Sequence, residues 1–234
     1  MGAVVFRKAT EPQTVKLNDA VRAALNYSAG RKPLHFVDLR HEHRVVWIDH
    51  IARASVRVLA VAVHKPSLKE PETFQQKSTL YHYATRYLLE RVSWCCRDYH
   101  KTGEGDGSAE VVFSHRTNLS YPDLRAYLEL LRKKGGVGDV SIDWNVIRPD
   151  GVTALGHHVR MGLQIADACA SAFYCGIQAN AHGFTEPRYA TMLKPVVYAH
   201  KGRRMGNGFK LWPREADALL ASDAALKWIG EVYA

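Results

Sequence analysis

The chain has 234 residues, of which 47% are hydrophobic and 24% are charged. This length suits one large domain, and this composition excludes a disordered or low-complexity polymer. Lys and Arg number 32 against 23 Asp and Glu, so the formal net charge is +9 at neutral pH. A basic surface is consistent with a nucleic-acid partner, but charge alone does not distinguish such a partner from an ordinary solvated surface.

The apolar runs, the amino terminus and the cysteine spacing argue against a membrane protein, a secreted protein and a cysteine-based zinc site. The longest aliphatic run, Val58 to Val63, is far shorter than the roughly 20 residues that span a bilayer, so we expect no membrane partner. The order of apolar and charged residues at the amino terminus is the reverse of a secretory signal, which predicts a cytoplasmic protein. The four cysteines lack Cys-x-x-Cys spacing, so reduced core thiols are expected rather than disulfides or a zinc site.

Hydrophobic periodicity predicts strands and helices that alternate along the chain. Strands are predicted at 3–6, 58–63, 110–114 and 140–147, and helices at about 10–29, 40–52, 77–98, 122–134, 157–178 and 214–233. The run at 58–63 is apolar without interruption, which is typical of a strand buried on both faces in the middle of a sheet. Turns are predicted where Gly30 and the glycines at 135–138 interrupt the pattern.

This alternation predicts an α/β fold with a mixed sheet and helices on both of its faces. We treat residues 1–234 as a single domain, with a core to about residue 180 and a basic, glycine-rich extension over 181–234. The glycine pattern matches neither a phosphate-binding loop nor a dinucleotide-binding fingerprint, which argues against kinase and Rossmann functions.

The predicted helix at 157–178 carries a polar stripe that includes His157, Gln164 and Asp167 beside its packing face. Small residues let this helix approach another element closely, and a carboxylate beside a sheet is costly unless it pairs or binds a metal ion. Asp167 is therefore a candidate site residue. The alternative is that the stripe is an ordinary solvated face.

Two other clusters offer acidic or imidazole groups. Glu90 lies at the margin of an apolar helical stripe, where its carboxylate could reach a sheet edge, although an ion pair with Arg86 or Arg97 is the alternative. The segment that begins at His35 lacks His-Glu-x-x-His spacing, so a solvated helix start is its alternative. Its potential ligands are His35, Asp38, His41, Glu42 and His43.

The end of the third predicted strand carries Ser114, His115 and Arg116. The carboxyl ends of strands are where α/β folds display functional groups. No nucleophile-elbow glycines surround Ser114, so a serine hydrolase triad is not expected.

Four segments occur in a fixed order along the chain: 32–39, 80–94, 113–116 and the motif Gly-Leu-Gln-Ile-Ala-Asp at 162–167. Together they resemble the domain-of-unknown-function 3800 family, and the resemblance covers nearly the whole chain. It implies an RNase H-like fold, a divalent-metal phosphodiesterase site, and association with phage-defence or mobile-element genes.

The resemblance also implies roles for individual residues. Glu90 and Asp167 are the expected catalytic carboxylates and metal ligands, Asp38 or His115 would assist them, and Mg²⁺ or Mn²⁺ is the expected cofactor. The predicted substrate-binding residues, which would contact nucleic acid, are Ser114, His115, Arg116, Gln164, Lys201, Arg203, Arg204 and Lys210.

The sequence departs from the family pattern at two points. Family members open with a strand that carries Asp-Glu-Ser-Gly, whereas residues 1–6 here resemble the second strand of the family, which leaves open whether Met1 is the natural start. Ser114 stands where RNase H-like enzymes usually place a second aspartate. Two carboxylates are few for two-metal cleavage, which needs several to hold both ions.

These departures keep two alternatives open beside a metal-dependent nuclease. The first is a catalytically degenerate module that binds nucleic acid or protein without turnover. The second follows from a sheet without its first strand, because unpaired edge groups can pair with another chain. That alternative predicts a homo-oligomer or a protein partner that completes the sheet.

Overall fold

The computed structural model describes residues 1–27, 32–75, 78–134 and 141–234. In these ranges it contains five strands and eight α-helices. The strands are β1 (Gly2–Val5), β2 (Arg57–Val63), β3 (Ala109–Ser114), β4 (Ile147–Leu155) and β5 (Phe209–Trp212). The helices are α1 (Glu11–Ala24), α2 (His41–Ala52), α3 (Thr79–Tyr99), α4 (Tyr121–Lys133), α5 (Met161–Ile177), α6 (Arg188–Met192), α7 (Leu219–Ser222) and α8 (Lys227–Tyr233).

The strands form two hydrogen-bonded groups. In the first group β2 is central: β1 pairs with it antiparallel and β5 pairs with it parallel, so the order is β1-β2-β5. In the second group β3 and β4 pair in parallel. The predicted mixed α/β class is thereby confirmed.

Strand β2 separates two hydrophobic cores. Val58 and Ala60 are buried in the core that contains the apolar residues of α2, α5 and α6. Leu59 and Val61 are buried in the other core, with residues of α3 and α4. Because successive side chains of a strand point to opposite faces, α5 and α3 cover opposite faces of this sheet. The predictions of a doubly buried central strand and of helices on both faces are confirmed.

Helix α5 packs closely on β1 and on Phe6, which follows this strand, and a glycine lies at each of the two contacts. A Cβ atom on Gly2 would lie 3.0 Å from the Cβ atom of Ala170, and one on Gly162 would lie 3.0 Å from the Phe6 ring. The stripe of small residues in α5 therefore lets the helix lie directly on the strand.

Some predicted elements differ from the structure. The helix predicted at 157–178 begins at Met161, so His157 precedes this helix and does not lie on its polar stripe. Residues 141–146 form no strand, and the fourth strand instead begins at Ile147, where the predicted strand ends. The predicted last helix at 214–233 is divided into a 3₁₀ turn at Arg214–Ala218, α7 and α8. Predictions that involve Ala29, Gly30, Lys77 and residues 135–140 lie outside the described residues.

All four cysteines are unpaired, and Cys95 and Cys169 are buried. No helix in the described ranges combines the length and the apolar character that a bilayer crossing requires.

We predict that Gly208→Ala lowers the free energy of unfolding by about 3 kcal/mol. Gly208 precedes β5 and its carbonyl oxygen accepts the amide of Ala60 at 2.8 Å. An added Cβ would collide with the Tyr198 carbonyl oxygen and lie 2.6 Å from the Val197 side chain, so the backbone beside β2 must shift. Urea unfolding measures the loss. Gly151→Ala is the control, because its Cβ meets nothing closer than 3.4 Å, and an equal loss in both variants would contradict the prediction.

Candidate metal centre

Three side chains from distant parts of the sequence meet beside α5. The ligand atoms of His35, His157 and Asp167 all lie within 4.8 Å of one another. Within the part of the chain that the structure describes, no other group of three or more His, Cys, Asp or Glu side chains is arranged in this way. Two imidazoles and one carboxylate around a common point are a donor set that divalent transition metals accept.

Each of the three residues is placed by a different element. His35 immediately precedes the 3₁₀ turn at Phe36–Asp38, His157 lies in the connection between β4 and α5, and Asp167 lies on α5. The two imidazole rings stack, with centroids 4.6 Å apart and planes inclined by 11°. His35 is exposed while His157 and Asp167 are half-buried, so the cluster opens to solvent on one side.

Opposing effects act on the pKa of the His157 imidazole. Burial lowers the pKa of the His157 imidazole, and the nearby Asp167 carboxylate opposes this shift. The Leu34 carbonyl oxygen lies 3.5 Å from Nε2 of His157. Metal-binding histidines are typically neutral and donate their other ring N–H to such an oxygen, which orients the ring.

Gln164 holds the cluster together rather than facing solvent. Its side chain is 1% exposed, and its Oε1 accepts the Leu34 amide at 3.0 Å and the Asn18 side-chain amide at 3.2 Å. This bond ties the residue before His35 to the helix that carries Asp167. The Gln164 amide is thus buried and positions the backbone at His35, while its predicted substrate contact stays a prediction.

Glu90 lies on α3, on the opposite face of the sheet from Asp167. It is buried, its Oε2 accepts Nη1 of Arg91 at 2.8 Å, and its Oε1 accepts the amide of Ser141 at 2.7 Å. Burial lowers the pKa of the Arg91 guanidinium, and the Glu90 carboxylate opposes that shift. The structure does not bring Glu90 and Asp167 together as a pair of metal ligands. The predicted ion pair is present, but its partner is Arg91 rather than Arg86 or Arg97.

Asp38 lies at the end of the 3₁₀ turn, is exposed, and does not belong to the cluster. His35, three residues earlier in the same segment, lies in the cluster instead. The role of Asp38 as a metal ligand, which the resemblance implies, stays a prediction.

The residues at the end of β3 contact α3 and α4. The Tyr121 hydroxyl donates to the Ser114 carbonyl oxygen at 3.0 Å and accepts the Arg116 amide at 2.9 Å. The guanidinium of Arg116 lies 5.5 Å from the centre of the Tyr81 ring. His115 packs its ring near Tyr121, with centroids 5.7 Å apart.

The four predicted phosphate-binding cations divide into two places. Lys201 and Arg203 are exposed in the turn that follows His200, and Nε of Arg204 donates to the Lys194 carbonyl oxygen at 3.0 Å. Lys210 lies on β5, with its ammonium 5.6 Å from the centre of the Tyr87 ring. Burial lowers the pKa of Lys210, and the charge of Arg91 lowers it further.

Comparisons of this chain with protein-family models, with curated proteins and with solved structures found no match. The family resemblance stays a prediction.

Proposed function

We propose that the protein is a divalent-metal-dependent phosphodiesterase that cleaves nucleic acid, with His35, His157 and Asp167 as the metal ligands. The single observation that carries this proposal is the convergence of these three ligand atoms within 4.8 Å at a solvent-open point. An ion held there would supply Lewis-acid polarisation of a phosphate and a water of lowered pKa. Three protein ligands leave coordination positions for both.

The donor set favours Mn²⁺ or Zn²⁺ over Mg²⁺ as the cofactor. Mg²⁺ prefers oxygen ligands in near-ideal octahedral geometry, whereas imidazole suits zinc and other transition ions. Of the two ions predicted from the sequence, Mn²⁺ is therefore the better candidate.

Charge supports nucleic acid as the substrate. The chain carries a formal net charge of +9, and exposed Lys201, Arg203 and Arg116 are cations that could hold phosphates. Such contacts contribute affinity without sequence specificity, and they weaken as salt concentration rises.

We include an RNase H-like sheet in the proposal. The antiparallel pair β1-β2 and the parallel pair β3-β4, with helices on both faces, are compatible with that fold. A role in phage defence or in a mobile element stays a further proposal on the same resemblance.

The direct experiment is cleavage of labelled single-stranded and duplex DNA and RNA with Mn²⁺, Zn²⁺, Mg²⁺ or EDTA. We expect cleavage with Mn²⁺ or Zn²⁺ that EDTA abolishes and that a His157→Gln, Asp167→Asn double variant lacks. The control variant is Asp150→Asn, which changes an exposed carboxylate on β4. Cleavage that persists unchanged in the double variant would come from a contaminant and would refute the assignment.

A degenerate binding module is the second candidate function. It is favoured by the small number of ligands, because the described cluster holds one carboxylate where two-metal cleavage uses several. Retention of the labelled strands at about 50 mM salt, loss of retention at about 200 mM, and no cleavage with any ion would support this function.

A further inference from the structure

Exposed apolar side chains are concentrated in the segments around the candidate metal centre. The described residues include eight large apolar side chains that are exposed, and four of them belong to segments that carry or adjoin the metal ligands. Val37 lies two residues after His35, and Val159 lies two residues after His157. The other two are aromatic. Single exposed apolar residues are ordinary, whereas a group of them beside a polar site indicates a binding surface.

The first aromatic residue, Tyr174, lies on the same face of α5 as Asp167. The two residues are seven positions apart, which is two helical turns and about 10 Å along the helix axis. Ser171 lies between them on this face, and both Asp167 and Ser171 are half-buried, whereas Tyr174 is 64% exposed. The face of α5 that carries the metal ligand therefore ends in an open aromatic ring.

A hydrogen-bonded turn presents the second aromatic residue, Phe184, beside the end of α5. The Oδ1 atom of Asn180 accepts the amides of His182 and Phe184 at 2.8 and 3.1 Å, and the Asn180 amide donates to the Phe184 carbonyl oxygen at 2.9 Å. The chain then returns to α5, where the Glu186 amide donates to the Cys175 carbonyl oxygen at 2.7 Å. Phe184 is 70% exposed on this fixed backbone. A side chain that is held in this way loses little conformational entropy when it binds a ligand.

The charges around these two rings nearly balance. Arg40 and Arg188 are exposed cations in the neighbouring segments, and Asp38 is an exposed carboxylate. The Glu186 carboxylate is already engaged, because Oε1 accepts the Arg188 amide at 3.0 Å and Oε2 lies 3.8 Å from Nδ1 of His41. Affinity at this surface must therefore come from the rings rather than from net charge.

We propose that the metal centre takes single-stranded nucleic acid, with unpaired bases of the strand stacked on Tyr174 and Phe184 beside the phosphate that the metal ion contacts. This inference rests on the proposed function and deepens it, because it takes the ligand of the metal centre to be nucleic acid. Every base has a π face, so aromatic side chains hold single strands without reading their sequence. The bases of a duplex stay stacked on one another, so they cannot lie on these rings.

The test measures binding separately from cleavage. Anisotropy titrations in EDTA at about 50 mM salt use the full chain and fluorescein-labelled DNA or RNA of about 12 nucleotides, single-stranded or duplex. We expect single strands to bind about tenfold more tightly than duplexes. Tyr174→Leu and Phe184→Leu should each weaken single-strand binding by about tenfold, because both remove a ring and retain an apolar side chain.

Three controls show whether the rings themselves cause this loss. Tyr174→Phe and Phe184→Tyr retain a ring and should retain the affinity for single strands. Leu130→Ala removes an exposed apolar side chain on α4 and should leave that affinity unchanged. Circular dichroism should show the same folded signal for every variant, because all three positions are exposed.

The outcomes separate this inference from the proposed function. Equal binding of single strands and duplexes, no binding of either, or unchanged single-strand binding by Tyr174→Leu and Phe184→Leu would overturn the inference. Metal-dependent cleavage that is equal for both forms and unchanged in the two Leu variants would also overturn it, while the proposed function would stand. Ring-dependent binding of single strands without cleavage by any ion would support the stacking surface and count against the nuclease.

Discussion

Glu90→Ala is expected to lower the free energy of unfolding by about 3–5 kcal/mol. The side chains of Glu90 and Arg91 are 6% and 5% exposed, so the substitution leaves a guanidinium buried without its counterion. It also removes the oxygen that accepts the Ser141 amide. An uncompensated buried charge costs far more than the pair itself contributes. Urea denaturation at pH 7, followed by circular dichroism, measures the difference.

Two controls test whether the loss of stability comes from the uncompensated charge of Arg91 or would follow any substitution of a charged residue in a helix. Glu129→Ala breaks an ion pair with Arg132 on α4 whose side chains are 31% and 47% exposed, and it should cost less than about 1 kcal/mol. The double change Glu90→Leu, Arg91→Met removes both charges together, and much of the stability should return.

The outcome also decides between two roles for Glu90. A catalytic carboxylate would lose activity on substitution without a large loss of stability. A loss below about 1 kcal/mol in Glu90→Ala would contradict the structural role and would restore the prediction of a site residue made from the resemblance. We expect the structural role because both oxygens of the carboxylate already accept hydrogen bonds from the protein.

The spacing of apolar residues correctly predicted the strands and helices in which that spacing is uninterrupted. The apolar run of β2 and the long stripe of α3 correspond closely to the structure, because burial of one continuous face determines both. Strand β4 was missed because Arg148 to Gly151 has the composition of a tight turn. The strand pairing gives the reason. The register between β3 and β4 shifts between Ala109 and Val111, so Arg148 to Gly151 form a bulge inside β4.

The last helix was predicted as one element because its apolar residues keep helical spacing on both sides of a break. Asp223 interrupts it, since its Oδ1 accepts the Ala225 amide at 2.8 Å in place of an intrahelical bond. Short polar side chains compete with helical hydrogen bonds in this way. The pattern of apolar residues carries no information about that local competition.

The sequence identifies the three residues of the candidate metal centre in two separate places. His157 and Asp167 are predicted on one polar stripe of a helix, and His35 belongs to the polar segment that begins with it. The approach of His35 to the other two could not be predicted, because it depends on the bond from Leu34 to Gln164, which are 130 residues apart in the chain. Sequence spacing within one helix identifies ligands only when they share a face.

Asp167→Asn is expected to weaken binding of Mn²⁺ or Zn²⁺ by about 100-fold or more, because loss of outer-shell partners alone costs 10–100-fold. An ion that binds only the folded state stabilises it, by about 2.7 kcal/mol when its concentration is 100 times the dissociation constant. The unfolding midpoint of the unsubstituted protein should therefore rise with either ion, and that of Asp167→Asn should not. Titration calorimetry gives the affinities directly.

Asp150→Asn supplies the matched control, because it removes an exposed carboxylate that lies outside the cluster. Equal metal affinity of the unsubstituted protein, Asp167→Asn and Asp150→Asn would mean that the ions bind elsewhere on the surface. A further comparison tests the donor set itself: His157→Asp replaces an imidazole by a carboxylate. Since oxygen donors suit Mg²⁺ and imidazoles suit transition ions, this variant should bind Mn²⁺ or Zn²⁺ less tightly relative to Mg²⁺ than the unsubstituted protein does.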